Sequence, residues 1–297
     1  MPGRPSSKTR ARILAVSDGD RRVRSDYLAT EEPLEIRLVV GGSLQRASQG
    51  ETATVAVTMR TPGADFELAA GFLYGEGVVA GREEVGRISY CTDPEVDAEQ
   101  QYNIVNVGLA AAAMPDLHAL ERHFMTSSAC GVCGKASLEA LELRGCPVMP
   151  PGPSVDPAVL PRLPTALRER QGLFESTGGL HAAGLFTAGG ELVALREDVG
   201  RHNAVDKLVG WAMLDGRLPL HDHLLMVSGR SSYEILQKAL VAGIPVVCAV
   251  SAPSSLAVDL ARRFGMTLVG FLRGERFNLY AGEERLGLPA TSTRTGR

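Results

Sequence analysis

Cysteine is scarce in this sequence, and the few cysteines follow no regular spacing. The chain has five cysteines among 297 residues, and Cys91, Cys146 and Cys248 each stand alone. An odd, irregular set of thiols argues against the disulfide framework of a small secreted protein and favours a reducing compartment, in which paired thiols bind metals or take part in catalysis. We therefore expect a cytoplasmic protein.

Long hydrophobic runs are also absent. The longest apolar stretches, such as Ile244–Val250, are much too short to cross a bilayer. The charged N-terminal residues are not followed by the apolar core of a signal peptide. These features predict a protein without a membrane partner or a secretion signal.

The net charge is small, −3, but it is unevenly distributed. Residues 1–24 contain seven Arg or Lys and two Asp, which leaves the rest of the chain acidic. Because an acidic body is a poor general binder of nucleic acid, we expect no nucleic-acid partner. Residues 1–25 are predicted to be a disordered basic tail, with contact to an acidic partner as the alternative.

Two lobes are predicted from the distribution of proline and of apolar residues. Residues 146–164 contain seven of the seventeen prolines, and we interpret them as a linker or surface wrap because proline breaks helices and central strands. The predicted boundaries are an N-terminal α+β lobe at 26–125, a cysteine-containing loop, helix and proline-rich linker at 126–165, a C-terminal lobe at 166–285 and a tail at 286–297.

The N-terminal lobe is predicted to be the smaller one and rich in strands. Strands are expected in EEPLEIRLVVGG, ETATVAVTMRTPG and YNIVNVGL, in which apolar residues alternate or are continuous. One helix is expected in ADFELAAGFLYGEG, where four apolar residues recur at helical spacing. They are Phe66, Ala69, Ala70 and Leu73. Gly75 is predicted to follow the helix as its C′ residue.

The C-terminal lobe alternates strands with single helices. Strands are predicted in ELVALRED, HLLMVSG, IPVVCAV and MTLVGFLRG, and helices in NAVDKLVGWAMLDG, SYEILQKALVAG and SSLAVDLARRFG. Asn203 is expected to cap the first of these helices. Such alternation implies parallel βαβ units with right-handed crossovers, so we predict an α/β layered sheet in this lobe and an α+β fold overall.

Polar turns follow two of these strands and are candidate anion sites. The first turn consists of Ser228, Gly229, Arg230 and Ser231, and Ser251–Ser254 has the equivalent place one unit later. Ligands of open α/β sheets bind at the carboxyl ends of parallel strands, where helix N-termini offer free N–H groups and an arginine can bind phosphate through two hydrogen bonds. The serines are equally well explained as helix N-caps.

The segment Arg196–Lys207 is unusually rich in charge for a strand-to-helix turn. Two interpretations remain open. In the first, an anionic ligand is bound by Arg201, His202 and Lys207. In the second, the helix is capped by Asp198, Asn203 and Asp206.

A glycine pair precedes His181 in STGGLHAAG, and backbone without a Cβ can approach a ligand closely there. Taken alone, a histidine of this kind is more typical of a hydrogen-bonded structural residue. His181 is thus a candidate ligand-binding residue with a plain structural alternative.

The sequence SSACGVCGK contains the closest cysteine pair, Cys130 and Cys133. A structural zinc site needs four ligands, and no second Cys/His pair with matched spacing exists, so no structural metal is expected. GKASLEALELRG predicts a helix after the thiols, and a helix start with Lys135 nearby lowers a thiol pKa. Sulfur carriage as a persulfide and thiol redox chemistry both fit such a thiolate.

Eight motifs, taken in order, resemble one family, the formate dehydrogenase accessory sulfurtransferases (FdhD). They are EEPLEIRLVVGG, TPGADFELAAGFLYGEG, SSACGVCGK, FESTGGLHAAG, EDVGRHNAVDK, SGRSSYEILQKA, SAPSSLAVDLA and GFLRGERFNLY. Together they extend over nearly the whole chain, from about Glu31 to Tyr280.

The resemblance implies that sulfur passes from a cysteine desulfurase, through a cysteine persulfide, to the Mo-bis(molybdopterin guanine dinucleotide) cofactor, or its tungsten counterpart, before that cofactor enters formate dehydrogenase. It also implies a homodimer, and a C-terminal lobe similar in fold to cytidine deaminases without their zinc chemistry. The alternative is a non-catalytic chaperone that binds and inserts the cofactor.

Carried onto this sequence, the resemblance makes Cys130 the persulfide-bearing nucleophile and Cys133 its partner. The cofactor-binding region corresponds to Phe271, Leu272, Arg273, Gly274, Glu275 and Arg276. The two pyrophosphates of the cofactor match the basic turns, because guanidinium groups and helix N-termini bind phosphate.

Overall fold

The computed structural model describes residues 5–41, 51–97, 100–111, 113–115, 117, 138–139, 141–142 and 145–288. Cys130 and Cys133 lie outside the described residues. The described chain falls into two compact units. The first contains the residues up to 117 with Gln171–Ala182 and Arg196–Arg217, and the second contains residues 138–170, Ala183–Leu195 and residues 218–288.

The strands are β1 (Lys8–Ser17), β2 (Asp20–Ala29), β3 (Glu32–Val40), β4 (Glu51–Arg60), β5 (Val85–Tyr90), β6 (Ile104–Leu109), β7 (His181–Thr187), β8 (Leu192–Asp198), β9 (His223–Val227), β10 (Val246–Ala249), β11 (Thr267–Arg273) and β12 (Arg276–Ala281). The α-helices are α1 (Asp65–Gly75), α2 (Leu163–Glu169), α3 (Gly172–Thr177), α4 (Arg201–Leu214), α5 (Tyr233–Val241) and α6 (Ser255–Arg263). None of the helices in the described ranges is both long and apolar enough to cross a membrane.

A two-stranded antiparallel ribbon, β1 and β2, begins the first unit. The strands are joined by Asp18 and Gly19, whose φ angles of 52° and 88° are the two left-handed positions of a type I′ turn. The prediction of a disordered tail at residues 1–25 is therefore wrong from Lys8 onward. Asp-Gly between alternating apolar and polar side chains is a strong hairpin signal. The prediction of disorder gave more weight to the basic charge of the segment than to this signal.

A four-stranded sheet in the order β4-β3-β6-β5 also belongs to the first unit. β3 is antiparallel to β4 and parallel to β6, and β5 is antiparallel to β6. The three strands predicted here are confirmed as β3, β4 and β6, whereas β5 was not predicted. Leu34, Ile36 and Leu38 of β3 are fully buried, so the core of this sheet is built on its central strand.

The helix predicted after β4 is confirmed as α1, and its Ala69, Ala70 and Leu73 are fully buried. Gly75 is the last helical residue and not the C′ residue. The left-handed turn lies instead at Gly77, which has a φ of 75° and donates its N–H to the carbonyl oxygen of Tyr74.

α4 packs against α1 within the first unit, although the sequence places it in a C-terminal lobe at 166–285. The two helices approach so closely that a methyl group on Gly71 would overlap the backbone oxygen of Asp206, and one on Gly210 would overlap that of Glu67. Because only glycine permits this backbone contact, the glycine pair assigns α4 to the first unit.

The second unit contains a six-stranded sheet in the order β12-β11-β10-β9-β7-β8. The predicted parallel run is confirmed, because β10 is parallel to both β9 and β11, with α5 and α6 as the connecting helices. β12 is antiparallel to β11, and β7 is antiparallel to β9. β7 and β12 were not predicted, and β7 separates the predicted strand β8 from β9.

The proline-rich segment lies entirely within the second unit and contributes five buried residues to it, so it does not link two lobes; its other residues are partly or fully exposed, as expected of a surface wrap. Val155, Leu160 and Leu163 are fully buried, and a 3₁₀ helix at Pro157–Arg162 leads into α2. Arg285 donates to the carbonyl oxygens of Pro150, Gly152 and Gly265 at 2.6–2.8 Å. The guanidinium supplies donors to a segment in which proline has removed backbone N–H groups.

We expect Gly71→Ala and Gly210→Ala each to lower the free energy of unfolding by about 3 kcal/mol or more, since overpacking against backbone cannot be relieved by a rotamer change. Chemical denaturation followed through Trp211, the single tryptophan of the chain, measures this effect on α4 itself.

Gly172→Ala is the matched control. Gly172 begins α3, and nothing lies within 4 Å of a Cβ built there. Its effect should stay within about 1 kcal/mol. Equal losses in all three variants would contradict the proposed role of the close helix contact.

Candidate functional site

Asp198 organises the strand-to-helix turn of the first unit. Its carboxylate is fully buried and accepts from four donors. Oδ1 accepts from the backbone N–H of Gly200 at 2.8 Å and from Nδ2 of Asn203 at 3.0 Å. Oδ2 accepts from the backbone N–H of Thr61 at 3.1 Å and lies 2.7 Å from Nζ of Lys207. The carboxylate is therefore saturated, and it ties the end of β4 to the first two turns of α4.

Lys207 does not face a ligand. Its side chain is 2% exposed, and besides Asp198 its ammonium donates to the carbonyl oxygens of Thr61 at 2.8 Å and Glu197 at 3.4 Å. Because an ammonium has three donors, all of them are used inside the protein. The prediction that Lys207 binds an anionic ligand directly is corrected to a structural role.

Asn203 is not the N-cap of α4. The helix begins at Arg201 with Gly200 as its N-cap residue, and no side chain caps it. The amide of Asn203 instead donates to the carbonyl oxygen of Met59 and to Asp198. Gly200 has no side chain with which to cap the N–H groups of the first turn.

His181, Arg201 and His202 form a basic cluster beside that helix start. Burial of the half-buried imidazole lowers the pKa of His181, the positive charges of Arg201 and His202 lower it further, and Asp198 opposes them. Nε of Arg201 is buried and has no hydrogen-bond partner among the described residues. Arg201 and His202 of the predicted anion site thus interact with His181, and the positive end of the α4 dipole adds to their field.

Three loops meet at the carboxyl ends of β9, β10 and β11 in the second unit. In the loop after β9, the backbone oxygen of Ser231 accepts a hydrogen bond of 3.0 Å from the N–H of Ser254. Ser251 in the second loop accepts from the N–H of Phe271 at 3.1 Å. The turn Ser228–Ser231 and the segment Phe271–Arg276 are therefore brought together, joined by Ser251–Ser254, as the parallel order requires.

This edge of the sheet carries three exposed arginines and the exposed Glu275. Arg230, Arg273 and Arg276 are exposed, and Arg273 faces Arg276 across the β11–β12 turn. Arg273 donates to the carbonyl oxygen of Val250 at 3.3 Å. Within the described chain, Arg230 and Arg276 have neither a hydrogen bond nor an ion pair. Two free guanidinium groups at such an edge can bind an anion.

Phe271 is strained and exposed at the same edge. Its φ of 51° is left-handed, which is uncommon for a bulky residue, and its side chain is 41% exposed. Just before it, a Cβ on Gly270 would lie only 2.9 Å from the ring of Tyr280 and 3.1 Å from Pro253. Glycine therefore permits the close approach of β11 to the second loop, and the strain presents an aromatic ring to solvent.

Ser231 ends the first loop with its hydroxyl fully buried and without a hydrogen-bond partner in the described part of the chain. Ser254 is an N-cap, because its Oγ accepts from the N–H of Ala257 at 3.2 Å. Ser232, the N-cap residue of α5, makes no side-chain cap hydrogen bond. The capping explanation of these serines thus holds for the α6 turn and not for the turn before α5.

Comparison with known proteins identifies the family. The model of the FdhD/NarQ family matches residues 31–287. The chain belongs to the FdhD/NarQ family. It is 52% identical to the sulfur carrier protein FdhD of Streptomyces avermitilis, over 95% of this chain and 97% of that protein, and 42% identical to the one of Sulfurisphaera tokodaii, over 93% and 98%. A crystal structure of a candidate formate dehydrogenase accessory protein from Desulfotalea psychrophila is 27% identical and matches with a TM-score of 0.67 over 94% of this chain and 99% of that one.

Three thiols of this FdhD/NarQ protein lie in the part of the chain that the structure describes, and each is a free cysteine. Burial raises the pKa of Cys248 to about 12, and Cys91 is also buried. Cys146 is partly exposed. No group of three or more His, Cys, Asp or Glu side chains in the described ranges could hold a metal ion.

Helical residues follow the cysteine pair at 138–139 and 141–142, where a helix was predicted. Leu138 and Leu141 are buried, at 7% and 1% exposure. Glu142 pairs with Arg263 at the end of α6 through two hydrogen bonds of 2.6 Å. The chain that leads from Cys133 is thus anchored in the second unit.

Asp198→Asn should lower the free energy of unfolding by about 3–5 kcal/mol, because it leaves the buried ammonium of Lys207 without a counter-charge. The matched control is Asp215→Asn, which breaks an exposed pair with Arg217 beyond the other end of α4. That change should cost less than about 1 kcal/mol. Denaturant titration of both variants decides the point, and similar losses would show that Asp198 is replaceable.

We also expect His181 to titrate below its ordinary pKa of 6.5. Because the pKa of His181 is lower in the folded state, the unfolded state binds the proton at a higher pH than the folded state does. The stability contributed by neutral His181 is therefore fully present above pH 6.5. It is lost as the pH falls through the folded-state pKa. Arg201→Gln should raise the pKa of His181, measured by NMR titration of the imidazole. Arg217→Gln, beyond the opposite end of α4, should leave it unchanged; an equal shift would deny the local origin of the effect.

Proposed function

We propose that this protein is a sulfurtransferase for the molybdenum cofactor of formate dehydrogenase. It accepts sulfur from a cysteine desulfurase as a persulfide on Cys130 and transfers that sulfur to Mo-bis(molybdopterin guanine dinucleotide), the bound substrate. The catalytic subunit of formate dehydrogenase is the client that receives the cofactor. The relatives named sulfur carrier protein and the accessory-protein structure support this assignment.

The carboxyl edge of the parallel strands carries the proposal. Guanine dinucleotide tails bring pyrophosphates and flat aromatic rings, and this edge offers groups suited to both. Arg230 and Arg276 are free to bind phosphate oxygens, and Phe271 exposes a ring for stacking. In the first unit, the helix start with Arg201 and His202 is a second place where an anionic group would be stabilised.

The chemistry assigned to Cys130 is a persulfide exchange followed by transfer of the outer sulfur to the substrate. Its thiolate attacks the outer sulfur of the desulfurase persulfide, a new S–S bond forms, and the desulfurase cysteine leaves as a thiolate. At the substrate, the outer sulfur forms a bond to the metal as the S–S bond breaks; the sulfur gains two electrons and the reduced metal of the substrate is oxidised by two. Cys130 then returns as a thiolate. Cys133 is its partner in the same motif.

The length of chain between the thiols and their anchor is compatible with delivery to this edge. Cys130 precedes the anchored Leu138 by eight residues, which can span at most about 26 Å. α6 has nine residues and is about 14 Å long, from Arg263 beside the anchor to Ser255 at the carboxyl edge. The length of α6 is therefore shorter than the reach of eight extended residues.

Cys130→Ser should abolish sulfur labelling when the protein is incubated with a cysteine desulfurase and radiolabelled cysteine, and formate dehydrogenase matured with this variant should be inactive. Cys146→Ser is the matched control and should retain label, since it removes a partly exposed thiol outside the motif. Full formate dehydrogenase activity with Cys130→Ser would refute sulfur transfer.

Binding of guanosine diphosphate, measured by calorimetry, tests the arginine edge independently. Arg230→Gln and Arg276→Gln should each weaken binding about tenfold, as expected for loss of one charge-assisted hydrogen bond. Arg162→Gln removes an exposed charge elsewhere in the second unit and should have no effect. If the arginine variants lose cofactor binding while Cys130→Ser still supports maturation, the protein is an insertion chaperone.

A further inference from the structure

The β1–β2 ribbon is a sheet of two strands, and no third strand pairs with it among the described residues. One pair beyond Lys8↔Ala29, the N–H of Thr30 donates to the carbonyl oxygen of Ser7 at 3.0 Å. Residues opposite each other in an antiparallel pair alternate between hydrogen-bonded and non-hydrogen-bonded positions. The odd-numbered residues of β1 therefore bond to β2, and the even-numbered residues direct their N–H and C=O groups to the outer edge of β1.

Most of this outer edge has no hydrogen-bond partner. Lys8, its first residue, donates its N–H to Oγ of Ser6 at 3.3 Å. Beyond it, the described chain offers no backbone partner to four residues, which we call the β1 edge: Arg10, Arg12, Leu14 and Val16. The register with β2 has no bulge, and β1 contains no proline. Because such an unpaired, regular edge is a template for another extended chain, it is a candidate binding site.

The outer edge of β2 is less accessible. The N–H of Tyr27, which points to that edge, donates to Oδ1 of its neighbour Asp26 at 3.0 Å. α3 packs against β2, and a Cβ built on Gly179 would lie 3.5 Å from Cβ of Ala29. The β1 edge is therefore the open side of the ribbon.

The side chains of the β1 edge divide into a basic half and an aliphatic half. All four lie on one face of the strand, because successive side chains point to opposite faces. Arg10 donates to the hydroxyl of Ser25 at 3.0 Å, and within the described chain no carboxylate pairs with Arg10 or Arg12. Leu14 is 57% exposed and Val16 is 63% exposed. A strand added here meets two guanidinium groups followed by two aliphatic side chains.

We propose that the β1 edge binds an extended, acidic segment of a partner protein as a third, antiparallel strand. Two aliphatic side chains of that segment lie beside Val16 and Leu14. Two carboxylates lie beside Arg12 and Arg10. Opposite charges and apolar pairs that face each other across two strands stabilise a sheet. From its N-terminus the segment reads aliphatic, any, aliphatic, any, acidic, any, acidic, because alternate residues share a face.

Charge selects an acidic segment over other extended chains. Residues 8–29 contain six basic and three acidic side chains, so the ribbon carries a net charge of +3. On the face opposite to the side chains of the β1 edge, Arg22 lies 3.8 Å from Asp20 and Arg24 lies 3.7 Å from Asp26. The uncompensated charge is therefore concentrated on the face of the β1 edge, where a basic strand is repelled and an acidic one is attracted.

A polypeptide suits this edge better than a nucleic acid or a membrane. The β1 edge directs four N–H donors and four C=O acceptors outward, and another extended backbone supplies both kinds of partner. Phosphate oxygens accept hydrogen bonds and would leave the carbonyl groups unpaired. The hydrocarbon interior of a bilayer supplies neither kind of partner.

Fluorescence anisotropy of a labelled synthetic peptide, Thr-Val-Thr-Val-Thr-Glu-Thr-Glu-Thr, titrated with the full-length protein tests the proposal. The peptide should bind saturably, and the same peptide with lysine in place of both glutamates should bind about tenfold more weakly or worse. Arg10→Gln/Arg12→Gln and Leu14→Ser/Val16→Ser should each raise the dissociation constant of the acidic peptide about tenfold, because each removes two cross-strand pairs.

Arg22→Gln/Arg24→Gln is the matched control, because it makes the same change in charge on the opposite face of the ribbon. It should alter the dissociation constant of the acidic peptide less than about twofold, as expected of exposed charges that do not contact the added strand.

Strand addition, as distinct from a contact of side chains alone, is tested at Arg12. Both Arg12→Gln and Arg12→Pro remove the guanidinium, but only proline also removes the outward N–H, which β2 does not use. Arg12→Pro should therefore weaken peptide binding about fivefold more than Arg12→Gln, as expected for loss of one backbone hydrogen bond. Equal dissociation constants for the two variants would contradict a third strand.

Amide hydrogen exchange of the wild-type protein, resolved by NMR, keeps the test independent of variant folding. Saturating acidic peptide should slow exchange about tenfold or more at the four N–H groups of the β1 edge, because they become hydrogen-bonded. The odd-numbered residues of β1, which already bond to β2, should change less. Protection that spares the β1 edge would refute the proposal.

Failure of the acidic peptide to bind, or equal affinity for the lysine peptide, would overturn the assignment. So would an equal effect of the control variant on the opposite face. Vesicles of anionic lipid and duplex DNA complete the test. If either binds more tightly than the acidic peptide and loses affinity in Arg10→Gln/Arg12→Gln, it replaces the acidic segment as the occupant of the β1 edge.

Discussion

The buried carboxylate of Asp198 is the interaction on which the first unit depends. A charge without water must be matched by donors, and here two backbone N–H groups, one amide and one ammonium provide them. Those donors come from the residue after β4, the turn after β8 and the first two turns of α4. Satisfying one carboxylate therefore ties the end of β4 to a turn and helix start that lie 137 residues further along the chain, where Arg201 and His202 are found.

Close backbone contact is the second constraint, and glycine makes it possible in both units. Gly71 and Gly210 allow α1 and α4 to touch in the first unit, and Gly270 allows β11 to approach the loop after β10 in the second. These contacts cost little in themselves but leave no room for a side chain. The helix bearing the basic cluster and the strand bearing Phe271 are each positioned by such a contact.

The two groups of candidate ligand residues differ in how they are prepared for an anion. In the first unit, Lys207 is used to hold the turn together, whereas the buried Nε of Arg201 has no hydrogen-bond partner among the described residues. At the carboxyl edge of the second unit, the side chains of Arg230 and Arg276 have no partner in the part of the chain that the structure describes, and Phe271 is held in a strained conformation. Strain that folding does not relieve is typical of sites that meet a ligand, which is why this edge carries the functional proposal.

Sequence patterns predicted the elements whose periodicity is strong and local. The run from β9 to β11 follows from strands that alternate with helices, and parallel order then brings Ser228–Ser231 and Phe271–Arg276 to one edge. The charge pattern of residues 1–25 led to the wrong prediction of a disordered tail. Its arginines are typical of a solvated segment, but the Asp-Gly turn closes a hairpin there. Proline misled at Val155 and Leu160, because the missing donors are replaced by Arg285 from a distant part of the chain.

The sequence by itself determined the family, the parallel sheet and the candidate residues, since each depends on neighbours along the chain. Only the tertiary structure decided that α4 belongs with the N-terminal strands, that Lys207 is an internal counter-charge and that the basic N-terminal segment forms a hairpin. The physical reason is the same in each case: burial and pairing of a side chain depend on partners supplied by segments that local periodicity does not register.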